Sequence, residues 1–181
     1  MVNKKIKKNG FFNRFYPTYI YDKVEEVPYD LINKNNIKLI ILDMDNTLID
    51  SNKKYNKKLK EWILKMKQNN VELYILSNSP FGDKVKKIAE KLEINYEFNA
   101  TKPLLKGFKK VINKYNYISK ESILMVGDQI FTDIWGGNRI GVKTLLVMPI
   151  NKKESILSKI KRPIERIILK KYLNKETNIW I

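Results

Sequence analysis

The chain contains no cysteine and no histidine. Their absence rules out disulfides, zinc sites of the Cys/His kind, thiol and phosphohistidine chemistry, and a Ser-His-Asp triad. Proton transfer is left to Asp, Glu, Lys or Tyr. Arginine is scarce: Arg14, Arg139, Arg162 and Arg166 are the only ones, so the formal charge of +17 is almost all lysine. Such a charge favours anionic partners. It is equally what codon bias toward Lys, Asn and Ile produces, and readers of nucleic acid usually carry more Arg. No apolar run reaches the roughly 20 residues that cross a bilayer, and no signal-peptide core follows the basic start. The expectation is a cytoplasmic protein, with peripheral attachment to the inner face of the membrane left open. At 181 residues the length suits one domain with a real core.

What stands out instead is the run Leu39-Ile40-Ile41-Leu42-Asp43-Met44-Asp45-Asn46-Thr47. An apolar stretch of strand length ends in two carboxylates one residue apart. On an extended strand, residues i and i+2 share a side, so both acids can face one pocket at the strand's carboxyl end, where open α/β sheets bind ligands. Close carboxylates need a shared proton or a cation. Phosphoryl transfer fits both needs, with one Asp as nucleophile, the other as acid/base, and Mg²⁺ neutralising the phosphate. A solvated Asp-rich turn, with Asn46 and Thr47 as cap residues, is the plainer reading of so short a motif.

The remainder of the chain decides between them. Apolar runs at 37–42, 71–76, 96–99, 123–126 and 143–147 alternate with helical patterns at 54–68, 81–92, 104–115 and 130–138, and a short helix fits within 24–33. This alternation predicts a mostly parallel five-stranded sheet covered on both faces, a Rossmann-like three-layer α/β/α sandwich. Residues 1–20 read as an irregular arm of lysines and aromatics. Residues 152–173 read as a basic amphipathic helix interrupted by Pro163. Gly136, Gly137 and Asn138 suggest a tight backbone with positive φ.

Four of the strands run into polar residues suited to phosphate: Asp43 and Asp45, then Ser77, then Lys102, then Asp128 with Asp133 farther on. In a parallel sheet these ends share one edge. In this order they resemble the haloacid dehalogenase-like (HAD) phosphatase superfamily, whose D-x-D-x-T, Ser, Lys and G-D-x-x-x-x-D motifs match Asp43 to Thr47, Ser77, Lys102 and Gly127-Asp128 with Asp133. A narrower likeness, over about residues 15–170, is to the YqeG family, which is related to mitochondrial phosphatidylglycerophosphate phosphatases. It is carried by Pro17 and Tyr19, Ser77-Asn78, Ala100-x-Lys102-Pro103-Leu104, Gly107-Phe108 and Val126-Gly127-Asp128-Gln129-x-x-Thr132-Asp133-Ile134-x-Gly136-Gly137-Asn138-Arg139-x-Gly141.

The resemblance implies roles. Asp43 is the nucleophile and forms an aspartyl phosphate. Asp45 is the acid and then the base. Ser77 holds phosphoryl oxygens, and Lys102 offsets charge. Asp43, the Asp45 carbonyl and Asp128 bind Mg²⁺. Thr47, Asn78, Asp133 and Arg139 support the site or touch substrate; Asp133 either reaches the metal through water or orients Lys102, and Arg139 either meets a phosphate or caps its helix. The organisation expected is an arm with a short helix over 1–36, a HAD-like catalytic domain over 37–150, and a tail over 151–181 on or beside that domain. The short spacings between motifs leave no room for a cap domain, so the site should be open to a phosphate carried on something large. The leading expectation is a phospholipid head group, phosphatidylglycerophosphate, at an anionic membrane. Alternatives are a nucleic-acid end, a phosphoprotein, or a non-catalytic basic binding protein on the same fold. The oligomeric state is left open.

Overall fold

The computed structural model describes residues 11–151 and 163–172. Six strands, β1 (Tyr19–Tyr21), β2 (Leu39–Leu42), β3 (Glu72–Leu76), β4 (Asn95–Glu97), β5 (Ile123–Gly127) and β6 (Lys143–Val147), form one sheet in the order β1-β6-β5-β2-β3-β4. All pairings are parallel. The helices are α1 (Tyr29–Lys34), α2 (Lys57–Gln68), α3 (Gly82–Leu92), α4 (Leu105–Lys114) and α5 (Trp135–Ile140). A further helix, α6, covers residues 163–172 and opens at Pro163, where the missing N–H costs nothing.

Strand alternation sorts the core into two layers. Ile40, Leu42, Leu73, Ile75, Leu124 and Val126 pack with Leu59, Trp62, Ile63 and Met66 of α2 and with Val85, Ile88 and Leu92 of α3. Leu39, Ile41, Tyr74, Leu76, Ile123 and Met125 face Phe108 and Val111 of α4 and Ile140 of α5. β2 and β5 are buried along their whole length, the pattern of a parallel sheet covered on both faces. The α2 start lies three residues later than the periodicity suggests, because the Asn56 side chain accepts from Leu59 N–H at 2.7 Å and caps the helix there.

The three-layer sandwich is as expected, with one strand more. The arm is not irregular throughout: Tyr19–Tyr21 pairs with Leu145–Val147. Thr18 and Thr144 fix that pairing, Thr18 N–H donating to Thr144 O (2.8 Å) and Thr144 N–H to Thr18 Oγ1 (3.1 Å). A third apolar cluster joins the arm to α6 through Tyr16, Ile130, Ile134, Leu146, Ile168 and Tyr172. The Tyr16 and Tyr172 rings lie 5.1 Å apart. The lysines of residues 1–8, with Ile156 and Ile160 of the tail, lie outside the described residues.

Gly136, Gly137 and Asn138 do not adopt positive φ; they are helical, in α5. Close packing explains the two glycines instead. A Cβ at Gly136 would meet the Phe108 ring, and one at Gly137 the Thr144 side chain. The Asn138 amide donates to Arg14 O and Tyr16 O, both at 2.9 Å, and fastens the arm to the domain.

Candidate active site

After β2 the chain continues on one side of the sheet to β3 and β4, then returns to the other side for β5 and β6. The crevice at the carboxyl ends of β2 and β5 is therefore the topological switch point, the usual ligand site of such sheets. Asp43 and Asp128 immediately follow those two strands. Asp43 N–H still donates to Val126 O across the pair (2.9 Å). Past Asp43 the chain turns: Asn46 takes φ +65°, which Asn tolerates, and its N–H donates to Ile49 O. This turn returns the Thr47 hydroxyl toward Asp128 Oδ1, a long contact of 3.5 Å.

Lys102, beyond β4, is almost wholly buried and ties the cluster together. Its ammonium lies 2.6 Å from Asp43 Oδ1 and 2.8 Å from Asp133 Oδ1. The other Asp133 oxygen accepts from Gln129 N–H at 3.1 Å. A Cβ at Gly127 would strike the Asp133 carboxylate, which accounts for glycine before Asp128.

Asn78 holds the Lys102 backbone, and Arg139 holds that of the next residue. Asn78 Nδ2 donates to Lys102 O (2.9 Å), and Lys102 N–H donates back to Asn78 Oδ1 (2.7 Å). Arg139 donates to Pro103 O at 3.0 Å while its guanidinium lies 5.2 Å from the centre of the Trp135 ring. Its observed contact is thus a supporting one, made from an exposed side chain. Thr101 sits at φ +55°, strained for a β-branched residue and costing on the order of 1–3 kcal/mol.

Ser77 closes β3 and is buried. Its Oγ accepts from Ser79 N–H (3.1 Å), which leaves the hydroxyl proton for a ligand oxygen. The Asp45 carboxylate turns outward and pairs with Lys84 in the first turn of α3. Lys84 is a neighbour that the sequence reading missed; its signal is position alone, a cation one turn into the helix that follows the Ser77 loop.

Burial pushes the Asp43 carboxyl up, Lys102 pulls it down, and Asp133 and Asp45 push it up again, leaving it at about 6. For Lys102 burial acts downward, but Asp133 and Asp43 outweigh it and hold the ammonium above its ordinary value. One oxygen each from Asp43, Asp128 and Asp133 lies within 4.8 Å of the other two. Three carboxylates against one lysine make a hard, electron-rich oxygen set that suits a divalent cation. No insertion covers this edge: α2 and its flanking loops fill the interval from Asp45 to β3, and α3 with β4 fills that from Ser77 to Lys102. Among the described residues no helix is long and apolar enough to cross a membrane.

Comparison with known proteins agrees with this geometry. The family described as mitochondrial PGP phosphatase matches residues 8–151. The chain is 31% identical to "Probable phosphatase YqeG" of Bacillus subtilis (strain 168) over 167 residues, covering 92% of this chain and 96% of that protein. Two solved structures share the fold. An uncharacterised protein of Listeria monocytogenes serotype 4b has a TM-score of 0.51 at 21% identity, over 75% of this chain and 99% of that one. A magnesium-bound crystal structure of YfnB from Bacillus subtilis, named as a HAD hydrolase, has a TM-score of 0.50 at 13% identity, over 71% and 98%. The chain belongs to the mitochondrial PGP phosphatase family and is a phosphomonoester hydrolase of HAD-like fold.

Proposed function

We propose that the protein is a Mg²⁺-dependent phosphatase that works through an aspartyl phosphate and acts on the phosphomonoester of a phospholipid head group, phosphatidylglycerophosphate. The observation that carries the chemistry is the buried Asp43–Lys102–Asp133 chain beside Asp128 at the switch point. Asp43 attacks phosphorus in line, and the ester oxygen leaves with a proton from Asp45. A water then attacks the aspartyl phosphate, gives its proton to Asp45 and releases orthophosphate, regenerating the Asp43 carboxylate. Lys102 fixes the attacking oxygen and offsets charge on the phosphoryl group, and Ser77 donates to a phosphoryl oxygen. Asp43, the Asp45 carbonyl and Asp128 would hold the metal, with Asp133 beside it, and the bound Mg²⁺ supplies charge neutralisation of the phosphate. The lipid substrate is supported by the family's name and by an open sheet edge, over which no cap lies among the described residues.

The test is turnover of phosphatidylglycerophosphate, a phosphorylated oligonucleotide end and p-nitrophenyl phosphate by the purified protein, with Mg²⁺ and with chelator. The expected result is activity that needs Mg²⁺, is blocked by beryllium or aluminium fluoride, and favours the lipid. Full activity in chelator would exclude the metal; insensitivity to both fluorides would exclude the aspartyl phosphate; preference for the oligonucleotide would replace the lipid.

A further inference from the structure

Ten large apolar side chains are exposed among the described residues, and half of them sit on one edge. Phe81 (70% exposed) follows β3, Phe98 (42%) and Leu104 (59%) follow β4, and Met148 and Ile150 follow β6. In a wholly parallel sheet these loops all lie at the carboxyl edge, around Asp43 and Lys102. Leu104 is two residues from Lys102. Phe81 and Leu104 occupy the N-cap positions of α3 and α4 without making a side-chain cap hydrogen bond. Nothing in the described fold requires them to be apolar.

Phe15, Tyr16 and Tyr19 of the arm, by contrast, are used in packing. Phe15 lies 5.5 Å from the Phe131 ring and 5.4 Å from Trp135, while Tyr16 and Tyr19 are buried. The same carboxyl edge carries exposed lysines: Lys53 and Lys54 in the loop after Asp45, Lys57 and Lys58 in the first turn of α2, and Lys106 in the first turn of α4. A ring of apolar tips among lysines matches an anionic bilayer, whose acyl region takes the former and whose head groups take the latter.

We propose that the catalytic rim itself is the membrane-docking face, with Phe81 and Leu104 inserting beside the site. The inference rests on the lipid reading of the substrate and adds the surface through which that substrate is met. Docking on this face points the Asp43 crevice at the bilayer, so a head group enters without leaving the membrane. An open site then needs no lid, because the lipid surface covers it.

The experiment compares the full chain with F81S/L104S. Serine is a good N-cap residue, so both helices keep their start. Sedimentation with phosphatidylcholine vesicles, with and without phosphatidylglycerol, reads binding. Turnover of p-nitrophenyl phosphate reads the chemistry, and turnover of detergent-dispersed phosphatidylglycerophosphate reads the substrate. The expected result is binding to the anionic vesicles that falls roughly tenfold or more in F81S/L104S, with p-nitrophenyl phosphate turnover unchanged. L64S/Y117S, which alters exposed apolar residues on α2 and beyond α4, should bind like the parent. Equal vesicle binding by parent and F81S/L104S overturns the docking face. Self-association in solution that F81S/L104S abolishes, without vesicle binding, assigns the rim to a second copy and also overturns it. Failure to hydrolyse the dispersed lipid, with rim-dependent vesicle binding intact, removes the substrate and leaves the docking face standing.

Discussion

Asp43 and Asp45 stand two residues apart and meet different surroundings. Asp43 and its partner Lys102 have side chains 11% and 1% exposed, whereas Asp45 and its partner Lys84 are 47% and 23% exposed. The buried pair is held on several sides and costs desolvation, so its worth lies in being complete. The exposed pair is screened by water and exchanges easily. In the proposed mechanism Asp43, the nucleophile, has to be fixed in direction before substrate arrives, and Asp45, the acid and base, has to exchange protons with the departing oxygen and the incoming water. One short turn supplies both conditions.

Activity should break this comparison most sharply. Asp43→Asn should abolish turnover of every phosphomonoester, because the amide is a poor nucleophile. Asp45→Asn should slow the phosphorylation step, read in a single turnover, by about 10²–10⁴ for poor leaving groups and much less for p-nitrophenyl phosphate, which leaves without a proton. Equal losses on both substrates would remove Asp45 from the acid role.

The two lysines should separate next. In metal-free protein at neutral pH, Lys102→Met leaves buried carboxylates without their cation and should cost about 3–5 kcal/mol in denaturant unfolding. Lys84→Met should cost under about 1 kcal/mol, since its pair is largely solvated. Similar costs would mean that the Asp45–Lys84 contact is more desolvated than its exposure indicates.

A further effect concerns pH. The Asp43 carboxyl rises from 3.8 to about 6 on folding. The proton is held more tightly in the folded state, so this contribution to stability is complete below pH 3.8 and is lost as pH rises through about 6. In metal-free protein Asp43→Asn should therefore raise stability above pH 6, by up to roughly 3 kcal/mol, and the gain should vanish below pH 4. Thermal unfolding across that range checks the sign. A gain that grows as pH falls would show that the Lys102 pair, and not burial, dominates at Asp43.

The sheet and most of the cluster could be read from the sequence for a physical reason. Asp43, Ser77 and Asp128 each stand just past an apolar run, Lys102 follows a shorter and more polar strand, and parallel strands deliver such residues to a common edge. β1 was hidden because three residues, Tyr-Ile-Tyr, are too few to show a period, and its partner β6 lies more than a hundred residues away. Lys84 was hidden because one lysine among many on a helix carries no pattern; only the fold shows that it faces Asp45. The two helical glycines were misread because close approach and positive φ leave the same letter in a sequence. Arg139 was read as meeting a phosphate or capping its helix; its contact with the Pro103 carbonyl depends on the packing of α4 on α5, which no local pattern shows.

The paired hydrogen bonds between Asn78 and Lys102 have a mechanical meaning. They weld the loop after β3 to the loop after β4, so the segments that carry Ser77 and Lys102 move as one strut. Thr101, strained beside that weld, is held in place by it. Motion of either loop alone would break both bonds. With no cap among the described residues, the proposed lipid reading makes the tempo of turnover belong as much to the surface that presents the phosphate as to the protein.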